Sequence, residues 1–113
     1  MFQYTVHIAV DPPNMFPTQP GLPSAGNFVY TPALLRVEPG DTITWISKHH
    51  FTLSFREGSP IEEMEIFGHQ SGGDFRAGPF TVLTEKGQFH YTVAVWNGSA
   101  IFMDAGCPRI SVN

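Results

Sequence analysis

With 113 residues, 42% of them apolar and 13% aromatic, the chain is sized for one domain over residues 1–113, and its 11 glycines and 10 prolines suit short strands joined by turns. A net charge of −4 and a pI of 5.6, with acids clustered only at Glu62, Glu63 and Glu65, offer nothing to nucleic acid or an anionic membrane surface. A lone cysteine, Cys107, excludes an internal disulfide framework, and no apolar run approaches the roughly 20 residues that span a bilayer.

Met1 leads directly into a strand-like segment, without the basic start, apolar block and small-residue cleavage site of a signal peptide. As written, the chain is expected in the cytoplasm, and outside it if the true precursor is longer. In this segment Phe2, Tyr4, Val6, Ile8 and Val10 alternate with Gln3, Thr5, His7 and Ala9, which predicts a first strand with one face on a core. Prolines at 12, 13, 17, 20 and 23 remove amide donors and predict a long surface loop containing Phe16. Phe28 to Val37, broken at Pro32, and Thr42 to Ile46 read as strands around a Pro39-Gly40-Asp41 turn.

His50 to Phe55 alternates again, placing Phe51, Leu53 and Phe55 on the core and His50, Thr52 and Ser54 on the opposite face. Residues 56–79 are the least regular, and Ile61 to Phe67 is the one candidate there for a helical turn. Phe80 to Leu83 and Phe89 to Trp96 read as strands separated by Glu85-Lys86-Gly87. Asn97-Gly98 is a strong hairpin signal that should fold Ala100 to Met103 back, and Arg109 to Val112 closes the chain. These segments predict an all-β Greek-key sandwich of about eight strands.

Phe28, Pro32, Leu35, Val37, Gly40, Asp41, Ile43 and Trp45, followed by Ser71-Gly72, Gly78, Phe80, Gly87, Phe89 and Tyr91, resemble the cupredoxins, the blue copper family of plastocyanins and azurins. The resemblance covers nearly all of the chain after residue 27 and implies a cupredoxin-like sandwich. It also implies a copper-ligand histidine opening a mid-chain strand, which His50, or less well His49, matches. The family's cysteine and second histidine fall on Val93 and Trp96, neither of which binds copper. Type 1 copper needs a thiolate and two imidazoles, so the resemblance implies a divergent member without that site. Cys107 lies beyond the Asn97-Gly98 hairpin, outside the family's spacing. That spacing points to a ligand loop rebuilt as a hairpin extension carrying Trp96, Ile101 and Phe102, a surface for contacts.

His49, His50, His69 and His90 are the imidazoles available to a ligand, but their spacing carries no metal signature. His49 and His50, adjacent on a strand, point to opposite faces and cannot share one site without a bulge. Trp96, Phe102, Phe16 and Phe67 lie in or near loops, where aromatic side chains line pockets, and Met103 belongs with them. Three functions follow as expectations. The first is a metal-free domain, needing no cofactor, that binds a small molecule or protein partner through His49, His50, His69, His90, Trp96, Phe102 and Met103. The second is a cofactor-independent enzyme in which His50 or another loop-end histidine moves protons on a hydrophobic substrate beside a carboxylate such as Glu62, Glu63, Glu65 or Asp104. The third is a copper-binding protein with an unconventional set of His50, Met103 and Cys107. Nothing in the sequence specifies an oligomeric state.

Overall fold

The computed structural model describes residues 2–11, 24–25, 27–56, 58–83, 86–96, 101–103 and 108–113, with the backbone alone at 11, 24, 25 and 27. Alternation builds the first sheet. In β1 (Gln3–Asp11) Val6 and Ile8 are buried while Thr5, His7 and Ala9 face out, and in β5 (Thr42–Ser47) Ile43, Trp45 and Ser47 are buried. β1 runs parallel to β5 and antiparallel to β3 (Asn27–Thr31); β9 (Asp74–Thr81) pairs with the other edge of β5, and β8 (His69–Ser71) closes the order β3-β1-β5-β9-β8.

The second sheet is organised on β10 (Gly87–Trp96), whose Tyr91, Val93 and Val95 point inward. Its C-terminal half pairs with β6 (His50–Phe55) and with β11 (Ile101–Met103); because both partners use residues 94–96, they lie on opposite edges of β10. Its N-terminal half pairs with β12 (Arg109–Val112), which runs parallel to β4 (Leu34–Val37). β7 (Glu65–Phe67) pairs with the far edge of β6, and β2 (Ser24–Ala25) with β11.

The inward side chains of both sheets form one core around Trp45, which is fully buried beside Phe55, Phe80 and Tyr91 with ring centroids 5.9–6.3 Å apart. The Trp45 indole N–H has no hydrogen-bond partner among the described residues. Phe55 and Tyr91 meet the indole edge to face.

The all-β sandwich expected from alternation is present, with His50 to Phe55 and Arg109 to Val112 forming strands at those bounds. The count is higher than eight, because twelve strands occur among the described residues. The additional ones are β2, the division of 28–37 into β3 and β4, and β7 and β8 within 56–79, where no helical turn forms. The Ser59 hydroxyl accepts from the Ile61 amide at 3.2 Å and donates to the Glu63 carbonyl at 2.6 Å, and the Met64 carbonyl accepts from the Phe55 amide at 2.9 Å. The carbonyls a helix would use are thereby committed to a bend and to β6, and Glu65–Phe67 extends the sheet. The strand expected from Phe80 begins earlier, at Asp74, and ends at Thr81. The Asn97-Gly98 turn, Phe16 and most of the proline-rich segment lie outside the described residues, although β11 does return antiparallel to β10.

Candidate functional site

The outward faces of β6, β10, β11 and β7 meet in a shallow groove of about 340 Å³. Register fixes its layout. Trp96 stands opposite both His50 and Ile101, Ala94 opposite Thr52 and Met103, and Thr52 opposite Phe67. Thr52, Ala94 and Gly68 form a low floor, Phe67 one wall, and Trp96 with Ile101 the other. Phe67 and Trp96 stand on strands two spacings apart, about 10 Å, and Ile101 lies one strand farther out. Gly68 is required where it is: its amide donates to the Phe51 carbonyl at 2.9 Å, and a Cβ there would lie 2.5 Å from the Phe51 ring.

The walls are apolar and exposed. Phe67 is 56% exposed, Trp96 49% and Ile101 46%, with Met103 beside them at 44%, and the groove lining contains no carboxylate. His50 closes one end, its ring centroid 4.1 Å from that of Phe75 and 5.6 Å from that of Trp96. Its packing partners are therefore aromatic. Of the carboxylates expected to exchange protons with His50, Glu62, Glu63 and Glu65 do not line the groove, and Asp104 lies outside the described residues.

The two adjacent histidines do separate, but not by alternation along one strand: His49 lies in the bend between β5 and β6, and β6 begins at His50. His50 lines this groove, while His49 lines a second concavity with His7, Lys48, Asp74 and Arg76 on the other sheet. His69 lies on β8 opposite Arg76, and His90 is exposed on β10 opposite Arg109, at the far end of the strand from Trp96. The four candidate histidines are thus not brought to one place. Phe102 is 2% exposed and faces inward, so it packs inside the fold instead of lining a pocket; its neighbours Ile101 and Met103 carry the outward surface of β11.

A type 1 copper ligand set does not fit these residues. Val93, at the implied cysteine position, is buried between the sheets, whereas Trp96 and His50 face outward and pack as a pair. Among the described residues no group of three or more His, Cys, Asp or Glu side chains is placed to hold a metal ion. Cys107 lies outside the described residues, so the His50, Met103 and Cys107 combination is not placed.

The groove residues that sequence reasoning missed are Thr52, Gly68 and Ala94. Small side chains carry no chemistry of their own, and only strand register puts them between two aromatic walls. Phe67 and Ile101 carried the right signal, being apolar residues in segments without a core to face.

No helix of the described residues is long and apolar enough to cross a membrane. No protein-family model matches the chain, and no curated protein does. Among solved structures the chain is similar to native pseudoazurin from Hyphomicrobium denitrificans, at 19% identity and a TM-score of 0.48, covering 98% of this chain and 75% of that one. It is similar to a Sinorhizobium pseudoazurin at the same identity and TM-score, over 100% of this chain and 75% of that one. It is also similar to Fet3p, a multicopper oxidase that functions in iron import, at 14% identity and a TM-score of 0.37, over 92% of this chain and 23% of that one. The pseudoazurins are cupredoxins, the family that the sequence motifs resemble.

Proposed function

We propose that this chain is a metal-free binding domain that takes an apolar side chain of a protein partner between Phe67 and Trp96. The observation that carries the proposal is the pairing of a small-residue floor with two half-exposed aromatic walls. A groove of about 340 Å³ suits one large side chain, and exposed Met103, on the same outward face of β11 as Ile101, continues the apolar surface beyond it. That continuation favours a protein over a small molecule, because contiguous exposed apolar area beside an anchoring pocket is what protein interfaces present. Aromatic walls supply contact area with few rotamers to freeze, so ordering them on binding costs little entropy.

The test is selection of a displayed random-peptide library on the wild-type domain and, in parallel, on a Phe67→Ala/Trp96→Ala double variant. Both positions are exposed, so the variant should retain its fold, which circular dichroism checks. Enrichment on the wild type of peptides sharing one apolar anchor, absent on the variant, supports the proposal. Equal enrichment on both proteins, or no enrichment on either, overturns it.

A further inference from the structure

The outer face of the other sheet carries a different chemistry. Strand register aligns His7 on β1 with Ile46 on β5, Ile46 with Arg76 on β9, and Arg76 with His69 on β8. Lys48 and His49 follow directly after β5, and Asp74 lies two residues before Arg76 on the same face of β9. His7, Lys48, His49, Asp74 and Arg76 together line a concavity of about 510 Å³, larger and more polar than the apolar groove.

The composition of this concavity runs against that of the chain. The chain has a net charge of −4 and only six Lys and Arg residues, yet two of the six lie here with two of its five histidines. Lys48 and Arg76 against Asp74 leave one net positive charge when both imidazoles are neutral. Protonation of His7 and His49 adds two more. β1 ends at Asp11, beyond the lining, and β8 contributes His69 on the far side of Arg76. His7 and Arg76 stand on strands two spacings apart, about 10 Å, which leaves room for a compact tetrahedral anion between long side chains reaching inward. A guanidinium offers a planar fork and an ammonium a point charge, the two donor types that hold phosphate and sulfate oxygens.

We propose that the concavity of His7, Lys48, His49 and Arg76 is a binding site for a doubly charged tetrahedral oxyanion, a sulfate or a phosphate monoester, that strengthens as the two histidines protonate. The cations supply the attraction at neutral pH, and Asp74 restrains it there. Each imidazole, when protonated, is an additional charged donor at the same concavity.

Inorganic sulfate is the decisive probe, because its own charge does not change between pH 6 and pH 8. Imidazole resonances of His7 and His49 are followed by heteronuclear NMR during sulfate titration at pH 6.0 and pH 8.0, with sodium chloride at matched ionic strength as reference. Saturable shifts at both histidines under sulfate, at least tenfold tighter at pH 6.0 and lost in Lys48→Ala/Arg76→Ala, are expected. A parallel titration with phenyl phosphate distinguishes the ligand source: tighter binding than sulfate assigns a monoester, and equal or weaker binding assigns a free oxyanion. Shifts no larger than those under chloride, shifts undiminished in the double variant, or affinity independent of pH would overturn the proposal. Both substituted positions are exposed on the sheet surface, so an unchanged amide spectrum elsewhere separates loss of the site from loss of the fold.

Discussion

One buried carboxylate ties together three parts of the chain. Asp41 Oδ1 accepts from the Phe2 amide at 3.0 Å and Oδ2 from the Glu38 amide at 2.9 Å, while its own carbonyl accepts from Val82 at 2.9 Å. The bond from Phe2, then that from Glu38, hold the carboxyl below its ordinary value of 3.8, against an opposing push from burial. A lowered folded value means that this contribution to stability is complete above pH 3.8 and is lost as the pH falls through the folded value. Asp41→Asn turns an amide donor toward one of the two N–H groups. The variant should melt at a lower temperature than wild type at pH 7, and the gap should narrow toward pH 3; a constant gap would show that charge plays no part. Gly78 is a second singular residue, with φ at +116° and a virtual Cβ 2.7 Å from the Ile43 carbonyl oxygen, beside the bulge between Ile43 and Trp45. Gly78→Ala should cost about 1–3 kcal/mol in denaturant unfolding, from strain plus that contact. Gly72→Ala, at φ +63° with nothing within 4 Å, meets only the backbone penalty and should cost about 1 kcal/mol.

At the scale of elements, β6 divides fold from site by alternation. Leu53 is fully buried opposite Val93, so Leu53→Ala should destabilise by about 2–5 kcal/mol, whereas Trp96→Ala removes only a half-exposed cross-strand partner of His50 and should cost about 1 kcal/mol or less. Comparable costs in urea unfolding would mean that Trp96 belongs to the core. This division was legible in the sequence wherever the period of two was unbroken. Val6 and Ile8 in β1, Phe51, Leu53 and Phe55 in β6, and Tyr91, Val93 and Val95 in β10 all face where alternation puts them. The separation of His49 from His50 has a different origin from the one alternation suggests, because His49 lies in the connection from β5 to β6 and not on the strand. The short strands β7 and β8 were not legible, because Glu65–Phe67 and His69–Ser71 are too brief to show a period; β7 owes its conformation to β6, earlier in the chain, and β8 to a tight hairpin with β9 across Gly72-Gly73. Phe102 was misplaced because burial in a three-residue strand depends on what packs over it. The cationic face of β1, β5 and β9 escaped notice since His7, Lys48 and Arg76 are remote in the chain and only pairing register assembles them.

For the molecule as a whole, the two concavities lie on the outward faces of opposite sheets, and the connection from β5 to β6 is the shortest covalent path between them. Lys48 and His49 serve one face and His50 the other, with the His49 amide donating to the buried Ser47 hydroxyl at 3.3 Å. Covalent proximity does not make the faces energetically coupled. His49 is exposed, and the field of an exposed charge is screened over about 8 Å at physiological ionic strength. The apolar groove binds by area removed from water, and its lining holds no carboxylate, lysine or arginine to sense that field. Occupancy of the oxyanion site should therefore change the affinity of a groove-selected peptide by less than twofold at 0.15 M salt, measured by titrating that peptide with and without saturating sulfate at pH 6.0. A larger change would require a rearrangement passing through the Ser47 to His50 connection. In that case Ser47→Ala, which deletes the hydroxyl holding the His49 amide, should abolish the coupling while leaving each separate affinity near its wild-type value.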